Sequence, residues 1–156
     1  MIYCGNILWL LMIPTTTILK SFASKYSLGI ISRSARITDH VGHTIAVAHR
    51  EGLFPLMTPE ESSRAAVQAA IRAATRDKFK SKIGGIQYSI SRYVNLVRTT
   101  VPIRDGTKNR FLLLITFDID SEAGSIIQKK ILPYIEYNRR YFPDKVDLGF
   151  LRTTLM

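Results

Sequence analysis

The sequence predicts an α+β fold: a five-stranded antiparallel sheet flanked by helices. Three observations lead there. Short runs alternate apolar and polar residues with period two; one Ala-rich stretch between them has a clear helical start; and a chain of 156 residues suits one domain with a single core. With 46% hydrophobic and 22% charged residues the chain is neither disordered nor fibrous, and its single cysteine excludes a disulfide framework.

Residues 1–34 form an apolar N-terminal segment. Met1 to Leu19 carries no charge and includes the run from Ile7 to Ile13, but Pro14 and Thr15 to Thr17 interrupt it. About seven strongly apolar residues remain where a spanning helix needs about 20, so membrane insertion is disfavoured. No Lys or Arg precedes the run, which argues against a signal peptide. A buried helix or strand of the domain is the preferred reading, and the chain is expected to be cytoplasmic.

A domain spanning residues 35–140 follows. Ala35–Asp39 and Thr44–His49 are β-type runs on either side of His40-Val41-Gly42-His43, where Gly42 allows a tight turn. Thr58-Pro59-Glu60-Glu61 then marks a helix start, with Thr58 as cap, Pro59 at the first position and Glu61 completing a capping box. Alanines carry that helix to about Arg76 or Lys78, and Gly84-Gly85 allows a sharp turn. Ile86, Tyr88 and Ile90 alternate with polar residues, and Val94 to Ile103 is β-branched, giving two paired strands. Arg104 to Asn109 is a polar turn. Phe111 to Phe117 is apolar at nearly every position, as a central strand covered on both faces would be. A last helix is expected from about Ser121, with Ala123, Ile127, Ile131 and Ile135 as its core stripe and Pro133 as a kink or end. The C-terminal tail, residues 141–156, has no clear period.

The order helix, strand, strand, helix, strand, strand, strand, helix resembles the roadblock (dynein light chain) and profilin-like superfamily. More closely, Ala35 to Gly42, Arg50 to Glu61, Gln87 to Tyr93 and Phe111 to Asp118 are similar to an uncharacterised archaeal family of small roadblock-like proteins, a likeness covering residues 35 to 138. The resemblance implies a five-stranded sheet flanked by helices and a dimer in which sheet edges adjoin. It brings no activity with it.

The excess of 22 Lys and Arg over 12 Asp and Glu concentrates in residues 61–110. Arg64, Arg72, Arg76, Lys78, Lys80 and Lys82 are expected to form an exposed face for an acidic partner. Around the Ala-rich helix, Val67, Ile71 and Ala74 form the larger apolar sector, assigned to the sheet. Ala66, Ala69, Ala70 and Ala73 form a small-residue sector, assigned to a homodimer interface because small side chains let two helices approach closely.

Catalytic and metal readings are weaker. Asp118 and Asp120, with Glu122 nearby, could bind Mg²⁺, but acidic residues before a helix more commonly cap it. Asp39, His40, His43 and His49 supply Zn²⁺ ligand types without a cysteine nearby in sequence, and Cys4 in its apolar surroundings reads as a small hydrophobe. No nucleotide-binding loop or nucleophile elbow occurs, so no catalytic residue, metal or cofactor is assigned. Tyr88, Tyr93 and Phe111, interleaved with Arg92, Arg98 and Arg110, offer stacking and phosphate contacts, yet packing against helices would cover them. The leading expectation is a non-enzymatic dimerising adaptor or regulatory module with an unknown protein partner; a basic nucleic-acid-binding domain is the alternative, and a metal-dependent enzyme comes last.

Overall fold

The computed structural model describes residues 32–105 and 108–139. The N-terminal apolar run, Cys4 and the C-terminal tail lie outside the described residues. Five strands, β1 (Ser34–Asp39), β2 (Thr44–His49), β3 (Ser89–Arg92), β4 (Leu96–Asp105) and β5 (Lys108–Asp118), form one sheet in the order β2-β1-β5-β4-β3. Every pairing is antiparallel; short hairpin connections favour this for β1–β2, β3–β4 and β4–β5, while β1 and β5 are brought together from distant parts of the chain. The long α1 (Pro59–Asp77) joins β2 to β3, followed by a short α2 (Lys80–Ile83). After β5 come α3 (Ala123–Ile126), a π-helical turn (Ile127–Ile131) and α4 (Leu132–Tyr137).

The predicted fold class is the observed one. β5 is the middle strand, and its alternation divides the core between two faces. Leu113, Ile115 and Phe117 join Val97, Val101, Ile103, Ala35 and Ile37 on one side, beneath Ala123, Ile127 and Ile131. Leu112 and Leu114 pack on the other side against Ala70 and Ala73 of α1. A strand of period two therefore needs apolar residues at both parities, which is why the run in β5 is nearly unbroken.

Several boundaries differ from expectation. The turn predicted from Arg104 to Asn109 shrinks because β4 and β5 continue pairing through Asp105↔Lys108. β3 starts only at Ser89. Pro133 does not end the helical stretch, which runs on to Tyr137: regular α-helix gives way to a π turn just before it, and Pro133 falls at the first turn of α4, where its missing N–H is tolerated. The short α2 has no signature in the sequence, since four residues give no readable period.

The start of α1 follows the capping-box expectation. Glu61 N–H donates to Thr58 Oγ1 at 3.2 Å, and Thr58 N–H donates to Glu61 Oε2 at 2.9 Å. Gly42 sits in the β1–β2 turn at φ +98°, and a Cβ there would lie 2.6 Å from the Val67 Cα. Glycine thus serves two needs, the left-handed backbone and the close approach of the turn to α1.

Candidate functional site

The assignment of α1's two apolar sectors is reversed in the structure. Ala66, Ala69, Ala70 and Ala73 are the buried residues of the helix, at 1–5% exposure, and lie on the sheet. Val67 and Ile71 are 40% and 60% exposed, and Ala74 is exposed as well. The small side chains are used for close approach, but to the chain's own sheet, not to a second helix. Larger residues have more area to bury, which favours them inward; here the Leu112 and Leu114 side chains already fill the space, so methyl groups fit beneath the helix. The four alanines therefore cannot line an intermolecular surface in this fold, and the uncovered apolar face is that of Val67, Ile71 and Ala74. Val41, in the turn that touches α1, and Val47 on the helix-bearing face of β2 add further exposed apolar surface.

The basic residues named from the sequence are all exposed: Arg64, Arg72, Arg76, Lys78, Lys80 and Lys82. Lys80 is tied to Asp77 at 3.3 Å, and Asp77 also meets Arg104 of β4 at 3.0 Å. Burial, the largest influence on Asp77, raises its pKa, but hydrogen bonds and charge from Arg104 and Lys80 outweigh it and leave the carboxyl below its usual range.

Arg72 and Arg76 have a second setting. On the flank of α1 nearer β3 and β4 they border a small polar cleft of about 80 Å³ between helix and sheet. Its floor carries Arg36 of β1 and Arg98 of β4, with hydroxyls from Ser89, Ser91 and Thr116, and Ser62 adds a hydroxyl from α1. Register explains the convergence. Arg36 lies opposite Leu114 and Arg98 opposite Thr116, so both stand on the helix-bearing face with β5 between them. Arg36 Nη1 donates to Thr44 Oγ1 at 2.7 Å and Nη2 to Ser62 Oγ at 2.5 Å. Burial first, and the charge of Arg98 second, lower the Arg36 pKa. No Asp or Glu among the described residues lines the cleft.

At one end the cleft opens into a groove of about 590 Å³ between the β2–α1 connection and the β3–β4 turn. Its apolar wall includes Leu53, Phe54, Leu56, Tyr93, Val94 and Leu96. Phe54 is 90% exposed and Val94 91%, unusual for such side chains without a covering partner. Groove and cleft share Ser34, His49, Ser62, Tyr93, Arg98 and Thr116. In the sequence Arg98 belongs only to the alternative stacking and phosphate-contact surface, and nothing there connects it to Arg36, which lies 62 positions earlier. Strand parity was legible, but strand order was not.

The acidic candidates resolve differently. Asp118 is engaged by two arginines rather than by a helix start: Arg33 Nη1 reaches Oδ1 at 2.9 Å and Arg50 Nη1 reaches Oδ2 at 2.8 Å. The neighbouring guanidiniums, Arg50 foremost, hold its carboxyl below the usual carboxylate range despite partial burial. The cap of α3 is Glu122, and its side chain makes no capping hydrogen bond. Asp39 closes the β1–β2 turn by accepting from Val41 N–H at 3.0 Å, His43 N–H at 2.8 Å and His43 Nδ1 at 3.0 Å. Among the described residues no group of three or more His, Cys, Asp or Glu is placed to hold a metal ion.

Two of the three candidate stacking aromatics are used in packing. Tyr88 and Phe111 lie against the main core, and the Tyr88 hydroxyl meets Gln128 Nε2 at 2.6 Å. Only Tyr93 of the three stands exposed, on the groove, so the aromatic face that the alternative nucleic-acid reading requires is not assembled. Among the described residues no helix is long and apolar enough to cross a membrane.

This sheet order, with α1 on one face and the C-terminal helices on the other, is the Roadblock/LC7 fold. No protein-family model matches the chain, and a comparison with curated proteins finds no match. Solved structures do match. The chain is similar to MglB in a tetrameric arrangement, at 15% identity over 90% of this chain and 92% of the other, with a TM-score of 0.63. It is also similar to the gliding protein MglB from Thermus thermophilus, at 15% identity over 90% of each chain and a TM-score of 0.59. A third neighbour is a Roadblock/LC7 domain from Streptomyces avermitilis, at 10% identity over 81% of this chain and 95% of that one, with a TM-score of 0.58. At these identities the likeness is one of fold.

Proposed function

We propose that this chain is a cytoplasmic, non-enzymatic dimerising adaptor or regulatory module that acts through protein–protein contact. The observation that carries the reading is the uncovered apolar face of α1, where Val67 and Ile71 remain 40% and 60% exposed on a helix whose other apolar side is fully used by the sheet. A rigid amphipathic helix with a second apolar stripe has more such surface than one core face requires. A symmetric pair of copies covers it with its own like, so that one patch serves both subunits. The fold likeness to an MglB in a tetrameric arrangement supports self-association of a domain of this shape. The exposed cations from Arg64 to Lys82 extend along α1 and α2 and suit an acidic protein partner, whose capture weakens as salt rises.

The test is the molar mass of the full chain in solution by light scattering at high micromolar concentration. The wild type is expected to be a dimer. Val67→Glu with Ile71→Glu converts it to a monomer with unchanged circular dichroism, because both side chains already face water in the single chain. A wild-type monomer, or a double variant that remains a dimer, refutes the reading. Ala69→Glu separates the two sectors: it unfolds the chain, since a carboxylate there is buried against the sheet.

A further inference from the structure

We propose that the cleft between α1 and the sheet, together with the groove it opens into, binds a small soluble amphiphile with an oxyanion head, a phosphate or carboxylate, on an apolar body. Four cationic side chains border the cleft, Arg36, Arg72, Arg76 and Arg98, from three separate elements. The charge is not there to balance a carboxylate of the protein, because no Asp or Glu among the described residues lines either cleft or groove. The Arg98 guanidinium makes no hydrogen bond or ion pair among the described residues, although the residue is half-buried and within the field of Arg36. Holding two guanidiniums on one sheet face costs electrostatic energy that an anion between them would relieve.

The geometry suits one group shared between them. Strands lie about 4.8 Å apart and rise about 3.4 Å per residue, so two strands and two residues separate the Arg36 and Arg98 Cα atoms by about 12 Å, a span long side chains can close from both ends. Serine and threonine hydroxyls around them supply further donors, and guanidinium forks match the oxygens of phosphate or carboxylate. The small polar volume of about 80 Å³ suits a head group. The adjoining groove of about 590 Å³, walled by Leu53, Phe54, Leu56 and Val94, falls in the size range of small-molecule sites and takes the apolar body. A free molecule is favoured over a bilayer head group because Arg36 and Arg98 lie under α1, recessed from any flat surface that the exposed helix could approach.

This inference does not depend on dimerisation, and its test uses the full chain. Isothermal titration calorimetry compares octyl phosphate with inorganic phosphate and with the uncharged octyl glucoside. Octyl phosphate is expected to bind at least tenfold more tightly than either. Arg98→Gln, which removes no side-chain hydrogen bond among the described residues, weakens octyl phosphate at least tenfold. Phe54→Ser with Leu56→Ser, at exposed positions, weakens octyl phosphate and leaves inorganic phosphate unchanged. Arg64→Gln removes the same charge away from the cleft and changes nothing. Equal binding by wild type and Arg98→Gln overturns the proposal, as does an equal loss in Arg64→Gln. Binding to vesicles of phosphatidic acid in phosphatidylcholine without binding of octyl phosphate also overturns it, in favour of a membrane surface.

Discussion

Replacing Asp118 with Asn tests the claim that one carboxylate fastens three strand ends. Arg33 immediately precedes β1, Arg50 immediately follows β2, and Asp118 closes β5, three neighbours at one end of the sheet. The carboxylate accepts two short hydrogen bonds, 2.9 Å from Arg33 and 2.8 Å from Arg50, and a longer one of 3.4 Å from Arg50. Hydrogen bonds to charged groups contribute about 1.5–3 kcal/mol each, and the three side chains are only 19–29% exposed. Counting the two short bonds at the low end gives about 3 kcal/mol, and solvent screening together with the amide's residual bonding brings the expected loss to about 2 kcal/mol. For a chain of this size that is a fall in Tm of roughly 4–8 °C.

The pH dependence identifies the cause. Asp118 has a depressed pKa in the folded state, so its contribution is complete above the unfolded carboxyl value of about 3.9 and is lost as pH falls through the folded value. Thermal melts of wild type and Asp118→Asn, followed by circular dichroism, should differ by the full amount from about pH 5 to 7 and converge progressively below about pH 4. A Tm difference under about 1 °C at neutral pH would refute the clamp; a difference that persists undiminished at about pH 2 would refute its charge-based origin.

Three further perturbations address other parts of the chain. Thr58→Ala removes the reciprocal capping box of α1 and is expected to cost about 1 kcal/mol, read as a shift in the urea midpoint at unchanged slope. Gly42→Ala places a Cβ against the α1 backbone at a left-handed residue and should cost more than about 2 kcal/mol in the same assay, combining strain of about 1–3 kcal/mol with displacement of the helix; a neutral result would mean the turn does not rest on α1. Ala73→Leu overfills the contact with Leu112 and should destabilise by about 1–3 kcal/mol, whereas Ala74→Leu on the exposed side should be near neutral, so equal effects would contradict the sector assignment.

Local chemistry determined much of this protein from the sequence alone. The start of α1 is specified within four residues by Thr58, Pro59 and Glu61, because capping depends only on neighbours. The nearly unbroken apolar run of β5 announces a strand covered on both sides, and Ala123, Ile127 and Ile131 announce their core stripe. These signals survive without knowledge of partners because period and capping are properties of a single element. Three features required the tertiary structure. Which side of α1 meets the sheet depends on the space left by Leu112 and Leu114, not on which sector is more apolar. Asp118 reads as a helix cap until Arg33 and Arg50 are brought beside it from 85 and 68 positions away. The convergence of Arg36 and Arg98 follows from β5 inserting between β1 and β4, and strand order is set by the sum of all packing contacts, which no single segment encodes.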